Sequence, residues 1–352
     1  MTIDVERELT LDERTMVDFA LGLRQRWSGT LYPALAGQYA QSGAPLPELP
    51  LYPWFSHLER AQQKLLWWAV SDAVLARADR LTEPVSEPAG PATLELDEHL
   101  VLPEWYTAYD IHMQPGGVWG DDLSAYVYEL GARIVMLRSN DGYQFHELFA
   151  AAALPDLPGA RRVVDVGCGF GKSTRPLVAR YPGAEVVGVD LAAPNLRLAY
   201  AQATAAGLPV RYRQADVRAT GLEPGSADLV TGTMVLHEMP ASAVRETLAE
   251  AVRLLRPGGA VRFLEFGRTG DALRDATVYE HAERNNEPFL RELLDADLQV
   301  LSWCGELGLR AAAWVPFDER GAGLCPGGYP ARSEWHFPWA VLTATREEDS
   351  LS

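Results

Sequence analysis

The chain has little lysine, few cysteines and no long apolar run. Only two of its 31 basic residues are lysines, Lys64 and Lys172, which we attribute to codon composition rather than to function. Its three cysteines have no paired spacing, which argues against a disulfide scaffold or a thiolate zinc site. The longest apolar run that could suggest a membrane-spanning segment, LLWWAV at 65–70, is far shorter than the roughly 20 residues that span a bilayer. We therefore expect no membrane-spanning segment and no membrane partner.

The first residues and the charge distribution restrict location and partners. MTIDVERELTLDERT lacks the basic and then apolar layout of a secretory signal peptide, so we expect a cytoplasmic protein. Residues 1–157 hold 10 basic and 23 acidic side chains, whereas residues 158–352 hold 21 and 25. An acidic N-terminal part would repel phosphate backbones, so we expect no nucleic-acid partner. The length of 352 residues and the change in pattern predict a mainly helical domain at 1–157 and a second domain at 158–352.

The stretch VVDVGCGFGKST at residues 163–174 is the most informative part of the chain. An apolar run leads to an aspartate, and three glycines then alternate with other residues before an amphipathic helix. This pattern is typical of a buried strand, a tight turn and a helix N-terminus with free N–H groups, across which a ligand can lie. The residues expected to contact that ligand are Asp165, Gly167, Cys168, Gly169 and Gly171.

Two nucleotide-binding motifs fail at this turn. The phosphate loop GxxxxGK[ST] requires a glycine where Val166 stands, and the dinucleotide fingerprint GxGxxG requires one where Lys172 stands. What remains is [DE]xGxGxG, with an acidic residue two positions before the first glycine. A glycine-rich turn without any ligand is the alternative, and the residues downstream argue against it.

Carboxylates follow the turn at the ends of two further predicted strands. Asp190 ends AEVVGVD, 23 residues after Gly167, where a carboxylate can accept both ribose hydroxyl protons of a bound nucleoside. Asp216 ends the next strand, VRYRQAD. A fourth strand, ADLVTGTMVLHEM, a helix at 241–255, the turn RPGG and a fifth strand, AVRFLEF, come next. This alternation predicts a parallel sheet covered on both faces.

These motifs, in this order over residues 160–267, resemble those of the class I S-adenosylmethionine (SAM)-dependent methyltransferases. The resemblance implies an α/β fold with a Rossmann-like, seven-stranded, mostly parallel sheet, beside a separate, largely α-helical N-terminal domain. It also implies that SAM is the methyl donor, that Asp216 meets the adenine amino group and that Val217 packs on the adenine ring. The other residues expected to bind the donor, beyond the turn, are Asp190, Leu191 and Thr233.

Methyl transfer is an in-line displacement, so the protein must align the acceptor and exclude water. The segment at 110–131 contains flexible glycines suited to a lid and several acid–base groups, and more such groups follow the fourth and fifth strands. The candidate catalytic residues are His112, Tyr128, Glu129, His237 and Glu265. His146-Glu147 and His237-Glu238 both lack the second histidine of HExxH, so we expect no metal.

The expected function is methyl transfer to a small-molecule acceptor of secondary metabolism. Nitrogen and oxygen acceptors are both open, and the acidic N-terminal part favours a cationic amine or guanidine nitrogen. O- or C-methylation of a neutral metabolite is the alternative. Two other classes remain: an NAD(P)-dependent oxidoreductase, which the position of the third glycine and the Asp216 motif argue against, and a protein that binds SAM without turnover. The sequence is compatible with a homodimer.

Overall fold

The protein is described by a computed structural model that covers residues 4–82, 90–137 and 140–348. Its longer helices alternate with strands only after the first 150 residues. The α-helices are α1 Leu11–Arg26, α2 Tyr32–Ser42, α3 Tyr52–Leu75, α4 Ala78–Leu81, α5 Glu104–Thr107, α6 Ser124–Val135, α7 Gln144–Ala152, α8 Arg175–Arg180, α9 Ala193–Ala205, α10 Ala241–Leu254, α11 Ala272–Arg284, α12 Pro288–Asp295 and α13 Asp297–Glu306.

Nine strands form one mixed sheet in the order β1-β4-β3-β2-β5-β6-β9-β7-β8. The six strands from β1 to β6 pair in parallel, and the remaining pairs are antiparallel. The predicted mostly parallel α/β sheet is therefore confirmed, but it has nine strands instead of seven because the short β1 and β8 are added at its two edges. The strands are β1 Thr93–Glu95, β2 Arg162–Val166, β3 Glu185–Asp190, β4 Val210–Gln214, β5 Ala227–Thr233, β6 Leu255–Phe266, β7 Leu309–Asp318, β8 Gly323–Leu324 and β9 Trp339–Arg346.

The central strands are buried along nearly their whole length. Every residue of β5 is buried, as are all but the first residue of β2 and of β3. Such continuous burial is characteristic of parallel strands that have helices on both faces. Because β2, β3 and β5 are adjacent and parallel, their carboxyl ends meet at one edge, which is where open α/β sheets bind ligands.

The turn predicted at 256–259 belongs to β6 instead. Helix α10 ends at Leu254 and the strand begins at the next residue. The β5–β6 pairing register shifts between Ala227 and Leu229 of β5, and Gly258 of β6 has φ +76°. This irregularity accommodates Gly258 and Gly259 within the strand. A bulge of this kind lets the chain change direction without leaving the sheet.

The first long helical run of the chain changes its winding shortly before Pro33. A π-helical segment, Trp27–Leu31, joins α1 to α2, and Pro33 is the second residue of α2. The chain stays helical through this junction, because the backbone N–H of Tyr32 bonds to the carbonyl of Trp27, five residues earlier. The wider π-helical turn thus precedes a residue that has no N–H to donate.

Continuous packing crosses the predicted domain boundary at residue 157. The ring of Trp27 stacks on Phe55 and lies 4.6 Å, between centroids, from Trp335 near the C-terminus. The hydroxyl of Ser28 also donates to the backbone carbonyl of Trp335 at 2.6 Å. The helical N-terminal part thus shares a hydrophobic core with the sheet, and its existence as a separate domain stays a prediction.

None of the helices among the described residues is long and apolar enough to cross a membrane. A cytoplasmic location and a homodimer remain predictions.

The contact between α3 and α6 gives a test of this packing. A Cβ added at Gly131 would lie 2.2 Å from Cζ3 of the buried Trp67 ring. We expect Gly131→Ala to lower the free energy of unfolding by about 1–3 kcal/mol through overpacking. In the matched control, Gly22→Ala in α1, no atom lies within 4 Å of the new Cβ, so helix propensity should raise stability by up to about 1 kcal/mol. Urea unfolding measures both, and equal stabilisation of the two variants would contradict the packing.

Candidate active site

A buried aspartate holds the glycine turn that follows β2. Asp165 is fully buried and accepts hydrogen bonds from Ser173 Oγ at 2.8 Å and from Thr174 Oγ1 at 2.6 Å. Burial raises the pKa of Asp165 to about 7, against the two hydroxyl donors, which lower it. The Asp165 side chain therefore links Ser173 and Thr174, at the far end of the turn, to the end of β2.

Two positions of the turn require glycine because side chains from other segments lie close to the backbone there. Gly167 has φ +67°, and a Cβ there would lie 2.2 Å from Cγ2 of Val235, in the segment after β5. Gly171 has φ +81°, and its Cβ would lie 2.5 Å from the hydroxyl of Tyr212 in β4. Side chains at these positions would push the turn away from the sheet.

The turn lines a first cavity of about 680 Å³ at the carboxyl edge of the sheet. Most of the residues predicted to bind the donor contribute to its wall. They are Gly167, Cys168, Gly169, Asp190, Leu191, Val217 and Thr233.

Asp190 connects the turn after β2 to the segment after β3. Its Oδ2 accepts from the Gly169 N–H and its Oδ1 from the Ala192 N–H, both at 2.8 Å. Burial raises the pKa of Asp190 to about 6, although these backbone donors oppose the shift. Each carboxylate oxygen has a further lone pair, so Asp190 can still accept hydrogen bonds from a ligand.

Three residues predicted to bind the donor do not line this cavity. Asp165 accepts hydrogen bonds from Ser173 and Thr174, and Gly171 faces Tyr212 of β4. Asp216 forms an ion pair with Arg218, whose Nε lies 3.0 Å from its Oδ1. Their contact with a donor stays a prediction.

The first cavity also has walls that the sequence did not predict. Trp105 and Tyr106 of α5, and Val118, line it from the N-terminal part of the chain, and Lys172 of the glycine turn lines it as well. Burial lowers the pKa of Lys172 to about 8, against the attraction of nearby carboxylates. Lys172 directly follows Gly171, and this position in the turn was the available signal.

A second cavity of about 640 Å³ adjoins the first. Tyr128, Lys172, Met234 and Glu238 line both cavities and thus form a shared wall. The rest of the second cavity combines aromatic rings with a row of acid–base groups. These residues include Trp67, Phe266, Phe337 and Trp339, and His112, His237, His281 and Glu287.

His112 lies between two carboxylates. Its Nδ1 is 2.9 Å from Glu287 Oε1 and its Nε2 is 3.2 Å from Glu238 Oε1. Burial alone would lower its pKa, but the two carboxylates outweigh it and raise the pKa of His112 to about 10. The residue has φ +57°, a conformation that costs about 1–3 kcal/mol for a non-glycine residue and is concentrated at functional sites.

His237 is held from behind by Glu265. Its Nδ1 lies 2.7 Å from Glu265 Oε2, and both side chains are almost completely buried. Burial lowers the pKa of His237, but the Glu265 carboxylate overcomes this and raises it. Glu265 itself lines neither cavity, so the structure places it behind His237 rather than against an acceptor.

His281 is the third histidine in the wall of the second cavity. His281 Nδ1 lies 2.7 Å from Glu59 Oε1, and its Nε2 lies 3.5 Å from Glu287 Oε1. Burial would lower the pKa of His281, but the two carboxylates raise it to about 9. His112 and His281 in turn hold the pKa of Glu287 well below its usual range, against burial.

Of the five predicted catalytic residues, three line the second cavity. They are His112, His237 and Tyr128. Glu129 lines neither cavity, because its carboxylate pairs with Arg133 and accepts from the Tyr143 hydroxyl at 3.0 Å. The pairing with Arg133, four residues further along the helix, could have been found in the sequence.

Known proteins match the region that builds these cavities. A family described as "Methyltransferase domain" matches residues 163–259. The ubiquinone biosynthesis O-methyltransferase of Chromobacterium violaceum is 30% identical over 166 residues, which are 45% of this chain and 69% of that protein. The demethylmenaquinone methyltransferase of Thermus thermophilus is 39% identical over 106 residues, 30% of this chain and 47% of that protein. Across the first four relatives, the chain spans 42–63% of their length.

A solved structure supports the fold. The SAM complex of Haemonchus contortus phosphoethanolamine N-methyltransferase 2 superimposes with a TM-score of 0.50 at 14% identity, covering 71% of this chain and 61% of that one. The matched domain extends from β2 into β6 and therefore contains the turn and Asp190, whose remaining lone pairs fit the ribose hydroxyls of SAM. SAM is the methyl donor of this domain. The chain belongs to the class I SAM-dependent methyltransferases.

Proposed function

We propose that the protein transfers a methyl group from SAM, bound in the first cavity, to a small molecule bound in the second. The observation that carries this proposal is the shared wall of Tyr128, Lys172, Met234 and Glu238. A donor in one cavity and an acceptor in the other would meet there, which brings the reacting groups together as an in-line displacement requires.

The donor side is assigned from the first cavity. Asp190 would accept hydrogen bonds from the ribose hydroxyls, and Leu191 and Val217 would pack against the adenine. The Thr233 hydroxyl is buried and has no hydrogen-bond partner among the described residues, so it is available to a ligand. Lys172 is placed to attract the methionine carboxylate. The bound donor supplies an electrophilic sulfonium methyl.

The acceptor side favours a partly apolar molecule with a reactive oxygen. The aromatic rings of the second cavity would enclose its body, and His112 and His237 would face its reactive end. The O-methyltransferase named among the relatives supports oxygen as the acceptor atom. In the transfer, an oxygen lone pair forms the new C–O bond, the C–S bond breaks with its electrons going to sulfur, and the hydroxyl proton is released.

A cationic amine is the second candidate acceptor. Its support is the presence of two carboxylates, Glu238 and Glu287, in the wall of the second cavity. Turnover with matched hydroxyl and amine acceptors distinguishes the two. The two relatives described above are named for ubiquinone biosynthesis and for demethylmenaquinone, so a role in secondary metabolism stays a prediction until the acceptor is identified.

Blocking the second cavity tests the function directly. Ala132 lies in its wall but not in that of the first cavity. We expect Ala132→Trp to keep SAM affinity within about threefold and to abolish S-adenosylhomocysteine formation, because the indole would occupy the acceptor space. Calorimetry measures the first quantity and chromatography of the product the second. Undiminished turnover would rule out the second cavity as the acceptor site.

Removing the Asp190 charge tests the donor site. We expect Asp190→Asn to weaken SAM binding about 10- to 150-fold, the loss of one charge-assisted hydrogen bond. Asp156→Asn is the control, since Asp156 is exposed and pairs with Arg180 outside both cavities. NADH should not bind the wild type. Binding of NADH instead of SAM, or equal SAM affinity in both variants, would refute the assignment.

The raised pKa of Asp190 predicts a pH dependence of SAM binding. The carboxylate is charged above about pH 6, and hydroxyl donors of the ligand stabilise the charged form. The dissociation constant should therefore be lowest near pH 7, where Asp190 is charged and Lys172 is still protonated, and rise as the pH falls through 6. Calorimetry from pH 5 to 8 measures it, with Asp190→Asn expected to give a flatter profile. A wild-type constant that does not change over this range would contradict the prediction.

A further inference from the structure

We propose that His112, His237 and Glu238 bind one divalent transition-metal ion at the wall of the second cavity, and that the ion holds an oxygen-bearing acceptor. The metal site extends the proposed function. Each of the three residues offers one ligand atom, and these atoms all lie within 4.8 Å of one another. Small side-chain rotations would bring them to the roughly 2.0–2.2 Å bond lengths of nitrogen and oxygen ligands.

Both histidines are already oriented as metal-binding histidines are. Glu265 holds Nδ1 of His237 at 2.7 Å, and Glu287 holds Nδ1 of His112 at 2.9 Å. A carboxylate on one ring nitrogen fixes the tautomer and leaves Nε2 as the ligand atom, the usual outer shell of a histidine metal site. Nε2 of His112 is the atom that faces the third ligand, Glu238.

The surroundings of the three histidines are acidic. Four carboxylates contact them: Glu59, Glu238, Glu265 and Glu287. Buried carboxylates require a positive partner. A divalent ion on His112, His237 and Glu238 would supply that positive charge in place of protons on the two ligand rings.

The ligand set indicates the kind of ion and of acceptor. Two imidazoles and one carboxylate suit Zn²⁺, Fe²⁺ or Co²⁺ rather than Mg²⁺, which prefers oxygen ligands. Three protein ligands leave positions open, and both histidines face the second cavity. An acceptor hydroxyl with a neighbouring oxygen could fill these positions and be held beside the shared wall.

The sequence predicted no metal because no HExxH spacing is present. The ligands come from two segments that lie more than 120 residues apart in the chain, the turn Ile111–Met113 and the turn Leu236–Glu238. A site assembled in this way leaves no spacing signature. In the alternative arrangement, a protonated His112 donates to both Glu238 and Glu287 and no ion binds.

Metal titration distinguishes these arrangements without requiring the acceptor. The purified protein is stripped with a chelator and titrated with Zn²⁺ by calorimetry, and with Co²⁺ by visible absorption. We expect one ion per chain, and binding at least about tenfold weaker in His112→Ala and His237→Ala. Glu265→Gln should weaken binding roughly 10- to 100-fold through the outer shell. His281→Gln, which changes an equally buried histidine outside the three ligands, should keep the ion.

Two outcomes would overturn the metal site. One is the absence of stoichiometric binding in the wild type, and the other is binding that survives in both His112→Ala and His237→Ala. SAM affinity is measured in every variant as a check of folding, and His112→Ala should keep it because His112 lies outside the first cavity. Undiminished methyl transfer by metal-free protein would overturn the ion's role in holding the acceptor and leave the proposed function standing, whereas a bound ion without methyl transfer to any acceptor would overturn the proposed function alone.

Discussion

The structure of the site depends on the buried carboxylate of Glu265. One oxygen accepts hydrogen bonds from the backbone N–H groups of Val235 and Leu236, and the other from the ring of His237. These bonds fix the segment that follows β5. Val235 then packs against the glycine turn of the first cavity, and His237 faces the second. One residue at the end of β6 therefore sets the relative position of the two cavities.

The second cavity concentrates buried charge in a way that has functional meaning. Glu59, Glu265 and Glu287 are each at most 2% exposed, and every one of them pairs with a histidine. Ionised groups are expensive to bury, so a fold built for stability alone would place apolar side chains here. The strained backbone of His112 points to the same conclusion. Glu287 lines the second cavity, and Glu59 and Glu265 hold two histidines that line it, which supports our proposal that this cavity binds a ligand.

The sequence predicted well what depends on neighbours along the chain. The glycine turn, the parallel strands and Asp190 follow from local patterns and from the way parallel strands align their carboxyl ends. It could not predict the second cavity, because Trp67, His112 and Glu287 come from distant segments and meet only through packing. Two local signals were available but unused: Arg218 follows Asp216 by two residues, and Arg133 follows Glu129 by one helical turn. The short β1 and β8 carry too few residues to give a periodic pattern.

The central claim is that the donor's reactive centre faces the wall shared by the two cavities. The most direct test is a crystal structure with S-adenosylhomocysteine. The account predicts that the ribose hydroxyls contact Asp190 and that the sulfur points toward Tyr128 and Met234, with the second cavity beyond. A sulfur atom directed away from this wall, or a ligand bound outside the first cavity, would contradict it.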